Sequence, residues 1–404
     1  MAWGFIIILA LFIAAFLFFR IGDLFSPWLI TSGVWFAILM LLQLYGDMLY
    51  PLQGRLYISI AIWVPVFLAS SIITYYALPS NAQTASANKI EINETIFMIL
   101  YIISMMSTPL YVYQIFKVAM TFGTEDFLYN LRILAVSGEG DATVSLLKYV
   151  NGINQSLFII VMWRAEQTKK FILYSVIAAN ILCSIAIMEK TSMFFLLLVT
   201  LFVFYEKKRI KIRTIALWGA IIILASYGFN FVRKSVADTT EMSFVDFFNI
   251  YILSPSVAYE RVQENLNDQF GNHTFAFFYA FLTKTGLGSY EVETKLQEFV
   301  WVPLPTNVYT VFQPFYEDFG YKGIAFFATL YGTISGWLYR QMKNRNALCM
   351  CIYAYMVLCL LLQFFQENLL ISLSLLIQYI IIMGLCLQQA VGIRFHLPLK
   401  RQHE

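Results

Sequence analysis

The chain has 404 residues, 60% of them hydrophobic and only 13% charged, with a mean hydropathy of +0.69. Soluble domains carry about 25% charged residues, so this chain lacks the polar side chains needed to clothe a water-soluble globule. The net charge of +3 says little by itself, and no nucleic-acid partner is expected.

The apolar runs approach the ~20 residues of a membrane-crossing helix. They are not the ten-residue alternating segments of an outer-membrane barrel. With every backbone polar group needing an internal partner in lipid, the spanning elements must be helices. The predicted fold class is therefore an all-α polytopic membrane protein with about eleven spans.

In chain order, residues 2–19 are apolar and lack a basic leader, which predicts a first span rather than a cleaved signal peptide. Further spans are predicted near 25–45, 55–78 and 95–122, the last with a kink at Pro109. A hydrophilic loop at 123–148 follows. Spans at 149–163, 171–188, 191–205 and 214–232 complete a first block, 1–232. The long segment 233–320 is polar overall. Within it Phe244, Phe247, Phe248, Tyr251 and Ile252 recur at helical spacing, and Thr274 to Leu282 is apolar. Both read as interfacial amphipathic helices. Spans near 321–339, 346–365 and 369–393 and a basic tail make up the last block, 321–404.

Lys and Arg set the orientation. The loops that carry Arg164, Lys169 and Lys170, the cluster Lys207 to Arg213, and Arg340, Lys343 and Arg345 all fall on one side. That side is predicted to be cytoplasmic. The segments 123–148 and 233–320 then lie outside, where neither ATP nor a nucleotide-sugar is available. Chemistry there needs a substrate already activated and delivered through the membrane.

The five cysteines lie in apolar spans without CxxC spacing and read as free buried thiols. No metal-ligand cluster and no cofactor motif is legible. Of the three histidines, His273 is the one placed for chemistry.

Cations reach the outer surface at separate points: Arg132, Lys190, Arg233, Lys234 and Arg261. Lipid-headgroup anchoring is the plain reading. Binding of a diphosphate is the sharper one, because Arg offers a bidentate fork and Lys a point charge. The densest polar and aromatic run is Val302 to Gly323. Pro303 and Pro305 predict an extended lead-in, and Pro314 suits the first turn of a helix running through Gly320 into the next span. Glu317 and Asp318 are candidate general bases. Asn307, Tyr309 and Tyr316 suit a polyhydroxylated ligand, with Glu260 and His273 as further sugar contacts or alternative bases. Acidic residues favouring a helix dipole are the plain alternative. Gly332 and Gly336 form a small-xxx-small pair, which predicts close helix packing.

The run Pro305-Thr306-Asn307-Val308-Tyr309-Thr310-Val311-Phe312, followed by Pro314-Phe315-Tyr316-Glu317-Asp318-Phe319-Gly320, resembles the signature of bacterial oligosaccharide repeat-unit polymerases, the Wzy-type O-antigen and enterobacterial-common-antigen polymerases. Lys190-Thr191-Ser192 opening a middle span and Arg233 closing the next are similar to that family as well. The local resemblance covers about 60 residues, and the remainder is hydropathy and topology.

The resemblance implies an inner-membrane glycosyltransferase of the C-superfamily type, inverting and metal-independent. Such an enzyme moves a growing glycan from undecaprenyl diphosphate onto a new lipid-linked repeat unit at the periplasmic face. Asp318, whose Asp-Phe-Gly context looks like the family's shared element, or Glu317 would take the acceptor proton. The five cations would hold the diphosphate. A chain-length regulator is an expected partner. An O-antigen ligase is the nearest alternative, differing in acceptor. A flippase or transporter is the more distant one, since Lys117 is the one clear charge within a span, unless Glu367 sits deeper than the span ends, and no internal repeat is visible.

Overall fold

The computed structural model describes residues 2–79, 91–137, 145–188, 190–232, 243–264, 269–292 and 297–387. Helix dominates. Pro27–Met48, Arg55–Ala77 and Glu94–Thr121 are long and apolar enough to cross a membrane, and shorter apolar helices include Ala2–Phe18, Lys170–Ala186, Ala347–Leu361 and Leu373–Cys386. The molecule is an all-α membrane protein.

The first helices are α1 (Ala2–Phe18), α2 (Pro27–Tyr45), α3 (Arg55–Ala77) and α4 (Glu94–Thr121). Local chemistry starts several of them. Pro27 occupies the first turn of α2, where its missing N–H costs nothing. Asn93 caps α4 by accepting from the Ile96 N–H at 3.1 Å. After α5 (Phe127–Ser137) come α6 (Val150–Trp163), α7 (Lys170–Ala186), α8 (Lys190–Glu206) and α9 (Ile212–Val232).

The two stretches read as amphipathic are helical. One is α10 (Phe244–Phe248), a π-helical turn at Asn249–Leu253 and α11 (Ser254–Tyr259); the other is α12 (Ala276–Lys284). A Ser243/Asp246 capping box opens the first. A short hairpin pairs the two-residue strands β1 (Val300–Trp301) and β2 (Pro305–Thr306). The chain ends in α13 (Gln313–Lys343), α14 (Ala347–Leu361) and α15 (Leu373–Cys386).

Helix α13 differs from the single helix expected. Gly320 has φ 59 and ψ −151, a conformation that in practice only glycine adopts. In a straight helix Phe315 and Phe327 would lie about 18 Å apart along the axis. Their rings instead stack at 4.2 Å, and Phe315 also meets Tyr331 at 5.7 Å. The first two turns therefore double back along the long limb. Gly323 makes room for the return, since a Cβ there would lie 2.3 Å from the Phe315 carbonyl oxygen.

The long limb packs along α3. A Cβ on Gly332 would meet the Phe67 carbonyl at 2.6 Å, and one on Gly336 the Ser71 carbonyl at 2.3 Å. The small-xxx-small pair thus sets the backbone approach it was expected to set.

The core beneath the site is aromatic. Phe312 stacks on Trp35 at 4.7 Å, and Trp63 touches Phe312, Phe315 and Tyr331. Buried Gln363 ties the layer together. Its Oε1 accepts both indole N–H groups at 3.1 Å, and its Nε2 donates to Thr31 Oγ1 and the Leu360 carbonyl. The amide's donors and acceptor lone pairs are all used.

Expected as helix from residue 369, the chain instead stays irregular from Leu362 to Ser372. Buried Glu367 accepts from the N–H groups of Leu369, Leu370 and Ile371 and from the Tyr331 hydroxyl. That satisfies donors that lipid could not satisfy, and lets non-helical backbone sit inside protein. All five cysteines are free and buried.

Loop contacts fall at two ends of the helix bundle. At one, Lys343 Nζ reaches Asp23 Oδ2 at 2.5 Å and Glu206 at 3.0 Å, and Arg164 pairs with Glu94 at 2.9 Å. The other end carries the contacts of residues 46–56, 190, 243–264, 269–275 and 302–317.

Candidate functional site

The extended run 307–312 crosses the irregular segment after α14. The Thr310 N–H donates to the Phe365 carbonyl at 3.1 Å and the Val311 N–H to that of Gln363 at 2.8 Å, with Thr310 at φ 70. This fixes Tyr309 on one side of the doubled-back turns that carry Tyr316, Glu317 and Asp318. Tyr309 is 9% exposed and its hydroxyl donates to the Glu298 carbonyl at 2.7 Å. Burial first, then the Glu317 and Glu298 charges, push its phenol up to about 12. Tyr309 is thus a neutral donor at physiological pH and not a base.

The adjacent carboxylates do different things. Asp318 turns towards the loop before α12. Its Oδ2 accepts from the Thr274 N–H at 2.6 Å and its Oδ1 from the His273 N–H at 3.2 Å. The Thr274 hydroxyl donates to the Pro314 carbonyl at 3.1 Å, so the loop is clamped at both ends of the turn. Glu317 Oε2 lies 3.4 Å from His273 Nδ1, and both side chains are largely sheltered. Asp318 holds the backbone of His273, and Glu317 addresses its ring.

Glu260, 8% exposed, caps α3 from a distance. Its carboxylate accepts from the N–H groups of Gly54 at 3.2 Å, Arg55 at 3.1 Å and Leu56 at 3.0 Å. Those are orphan donors of a helix N-terminus, and a carboxylate also suits the dipole there.

Arg55 completes the junction. Its Nη1 donates to the carbonyls of Tyr259, Glu260 and Val262, and its guanidinium lies 4.9 Å from the Tyr316 ring centroid. Tyr316, 7% exposed, also packs on Tyr259 and Tyr321. Sequence reasoning did not single out Arg55. The available signal was its place directly after the Gly54 turn, opening a span on the predicted outer side.

The other sequence-selected residues are scattered. Lys190 Nζ sits 3.7 Å from the Tyr251 centroid and 4.8 Å from that of Phe247, tying the start of α8 to the π-helical turn. Arg261 lies over Tyr50 at 4.9 Å. Arg132 is on α5, whose Leu131 and Leu134 pack with α4 in a separate apolar cluster. Asn307 is half-buried in the crossing run. Arg233 and Lys234 lie outside the described residues. Among the described residues no group of three or more His, Cys, Asp or Glu side chains is placed to hold a metal ion.

Over 137 residues the chain is 30% identical to a protein of Escherichia coli (strain K12) named "Putative O-antigen polymerase". The match covers 33% of this chain and 33% of that protein, so it spans about a third of the curated relative's length. No protein-family model matches the chain. No solved structure matches it.

Proposed function

We propose that the protein is a membrane glycosyltransferase that polymerises oligosaccharide repeat units carried on a polyprenyl diphosphate, undecaprenyl diphosphate in bacteria. The growing chain moves onto a new lipid-linked unit at the periplasmic face. The observation that carries this reading is the His273–Glu317 contact, with Asp318 holding the His273 backbone and Arg55 over the ring of Tyr316, the residue before Glu317. The partial match to a protein named as an O-antigen polymerase supports polymerisation over ligation.

In the proposed reaction the acceptor hydroxyl loses its proton to His273 Nε2. Glu317 at Nδ1 stabilises the imidazolium that results. The oxygen attacks the anomeric carbon of the donor from the side opposite the phosphate, so the configuration inverts. The carbon–oxygen bond to the diphosphate breaks, and the leaving group departs with its electron pair. Developing charge there needs fixed cations. Arg55 is added to the sequence-selected set for that role, because its Nε and Nη2 bond no described acceptor. Tyr309, Tyr316 and Asn307 would position sugar.

The test is complementation of a polymerase-deficient strain at matched expression, with glycan ladders resolved on gels. Wild type is expected to restore long chains, and Glu317→Gln and His273→Ala to leave a single capped repeat unit. Full ladders from both variants would remove the site assignment. Restoration of glycan attachment without any change in polymer length would make the protein a ligase.

A further inference from the structure

A cavity of about 590 Å³ opens at the same end of the molecule, between the start of α1, the α2–α3 turn and α11. No residue of the His273–Glu317 site lines it. Trp3, Tyr50 and Tyr57 supply aromatic walls, Gln43 and Asp47 polar groups, and Val257 part of the floor. We propose that this cavity binds the saccharide portion of the lipid-linked substrate at a distance from its diphosphate; the inference rests on the glycosyl-transfer reading above.

Three physical points select a glycan. The volume lies within the ~300–1,000 Å³ range of small-molecule sites. The chemistry is mixed, with the part-exposed side chains of Trp3 and Tyr50 (55% and 46% exposed) lining the same cavity as a carboxylate and an amide. Sugars present just that pairing, apolar C–H faces and hydroxyl edges. An acyl chain has no use for Gln43 and Asp47, and a phosphate headgroup would be repelled by Asp47. The neighbouring cation, Arg261, lies over the Tyr50 ring and does not itself line the cavity. Trp and Tyr also gather at membrane interfaces without any ligand, and the test addresses that alternative.

The cavity is also placed to serve the site. Tyr57 follows Arg55 by two residues on α3, about 200° round the helix. Val257 precedes Tyr259 and Glu260 on the segment that Arg55 clamps. Cavity and reaction site therefore flank one junction, and a glycan several sugars long can occupy both.

The experiment measures binding, not turnover. The full-length protein in nanodiscs is titrated against reducing-end-labelled oligosaccharides, a few repeat units long, released by mild acid from the polysaccharide of the producing strain. Fluorescence anisotropy reads the affinity, and gel filtration checks the fold of each variant. Trp3→Ala, which removes an aromatic wall, and Asp47→Asn, which removes a charged hydrogen-bond acceptor, are each expected to weaken binding about ten-fold or more. Unchanged affinity in both variants overturns the proposal and leaves an interfacial belt. Wild type that binds no oligosaccharide yet builds long chains in cells also overturns it while polymerisation stands. Binding that both variants lose, in a protein that builds no chains, keeps the cavity assignment and removes the polymerase reading.

Discussion

Glu317 and Asp318 are neighbours in sequence with opposite duties. Asp318 accepts two main-chain N–H groups, whereas Glu317 meets an imidazole. Asp318→Asn would turn an amide N–H towards one of those donors, leaving a sheltered N–H unsatisfied at about 1–3 kcal/mol. It is expected to lower the melting temperature in detergent as well as activity. Glu317→Gln is expected to keep the melting temperature and to cut turnover about 10²–10⁴-fold. A variant pair with the reverse pattern would exchange the two roles.

Arg55 offers a second contrast at this scale. Lys keeps the charge but loses the planar guanidinium that lies over Tyr316 while its Nη1 bonds the carbonyls. Arg55→Lys is therefore expected to lose about ten-fold or more in initial rate at low donor concentration, read with purified lipid-linked substrate. Tyr309 gives a pH prediction. Its phenol is raised from its ordinary value near 10 to about 12. Its contribution to stability is in full force below pH 10 and is lost as pH rises through about 12. Tyr309→Phe should reduce the fall in melting temperature across that window, which thermal scans in detergent would register.

At the scale of elements, α13 is the decisive one. A hydrophobicity pattern reads it as one helix because Phe312, Phe315 and Phe319 share a periodicity with the span that follows. The reversal at Gly320 depends on a backbone conformation with no signature beyond the glycine itself. Gly320→Ala adds strain of about 1–3 kcal/mol and brings a Cβ within 2.9 Å of the Glu264 carboxylate. It is expected to lower the melting temperature and abolish chain extension with little change in helical circular dichroism, since only the junction moves. Activity and melting both equal to wild type would show that the doubled-back turns are dispensable. By contrast the Gly332–Gly336 pair was legible in sequence, because small residues four apart always present one face.

For the molecule as a whole, the two ends can be told apart. Lys343, Asp23 and Glu206 close one end, and the candidate site lies at the other. The charge distribution predicts that the first faces the cytoplasm. In a background without the native cysteines, Leu287→Cys is expected to react with an impermeant maleimide in cells with a permeabilised outer membrane. Lys169→Cys should react only after lysis. The opposite labelling would invert the topology and place the site where nucleotide-sugars are available.

Composition and hydropathy sufficed for a helical membrane protein, because burying peptide groups in lipid leaves helices as the element that long apolar runs can form. Local rules were enough for the close-packing Gly332–Gly336 pair, and the Val302 to Gly323 run stood out by its polarity. Tertiary structure decided which side chains meet. His273 and Glu317 come from segments far apart in sequence, and Glu260 caps a helix two hundred residues upstream. Arg55 acquired its place only when α11 and the returned turns of α13 closed around it. Such long-range pairings depend on how packed helices and loops converge in space, and a one-dimensional pattern of residue types does not encode that convergence in any local signal.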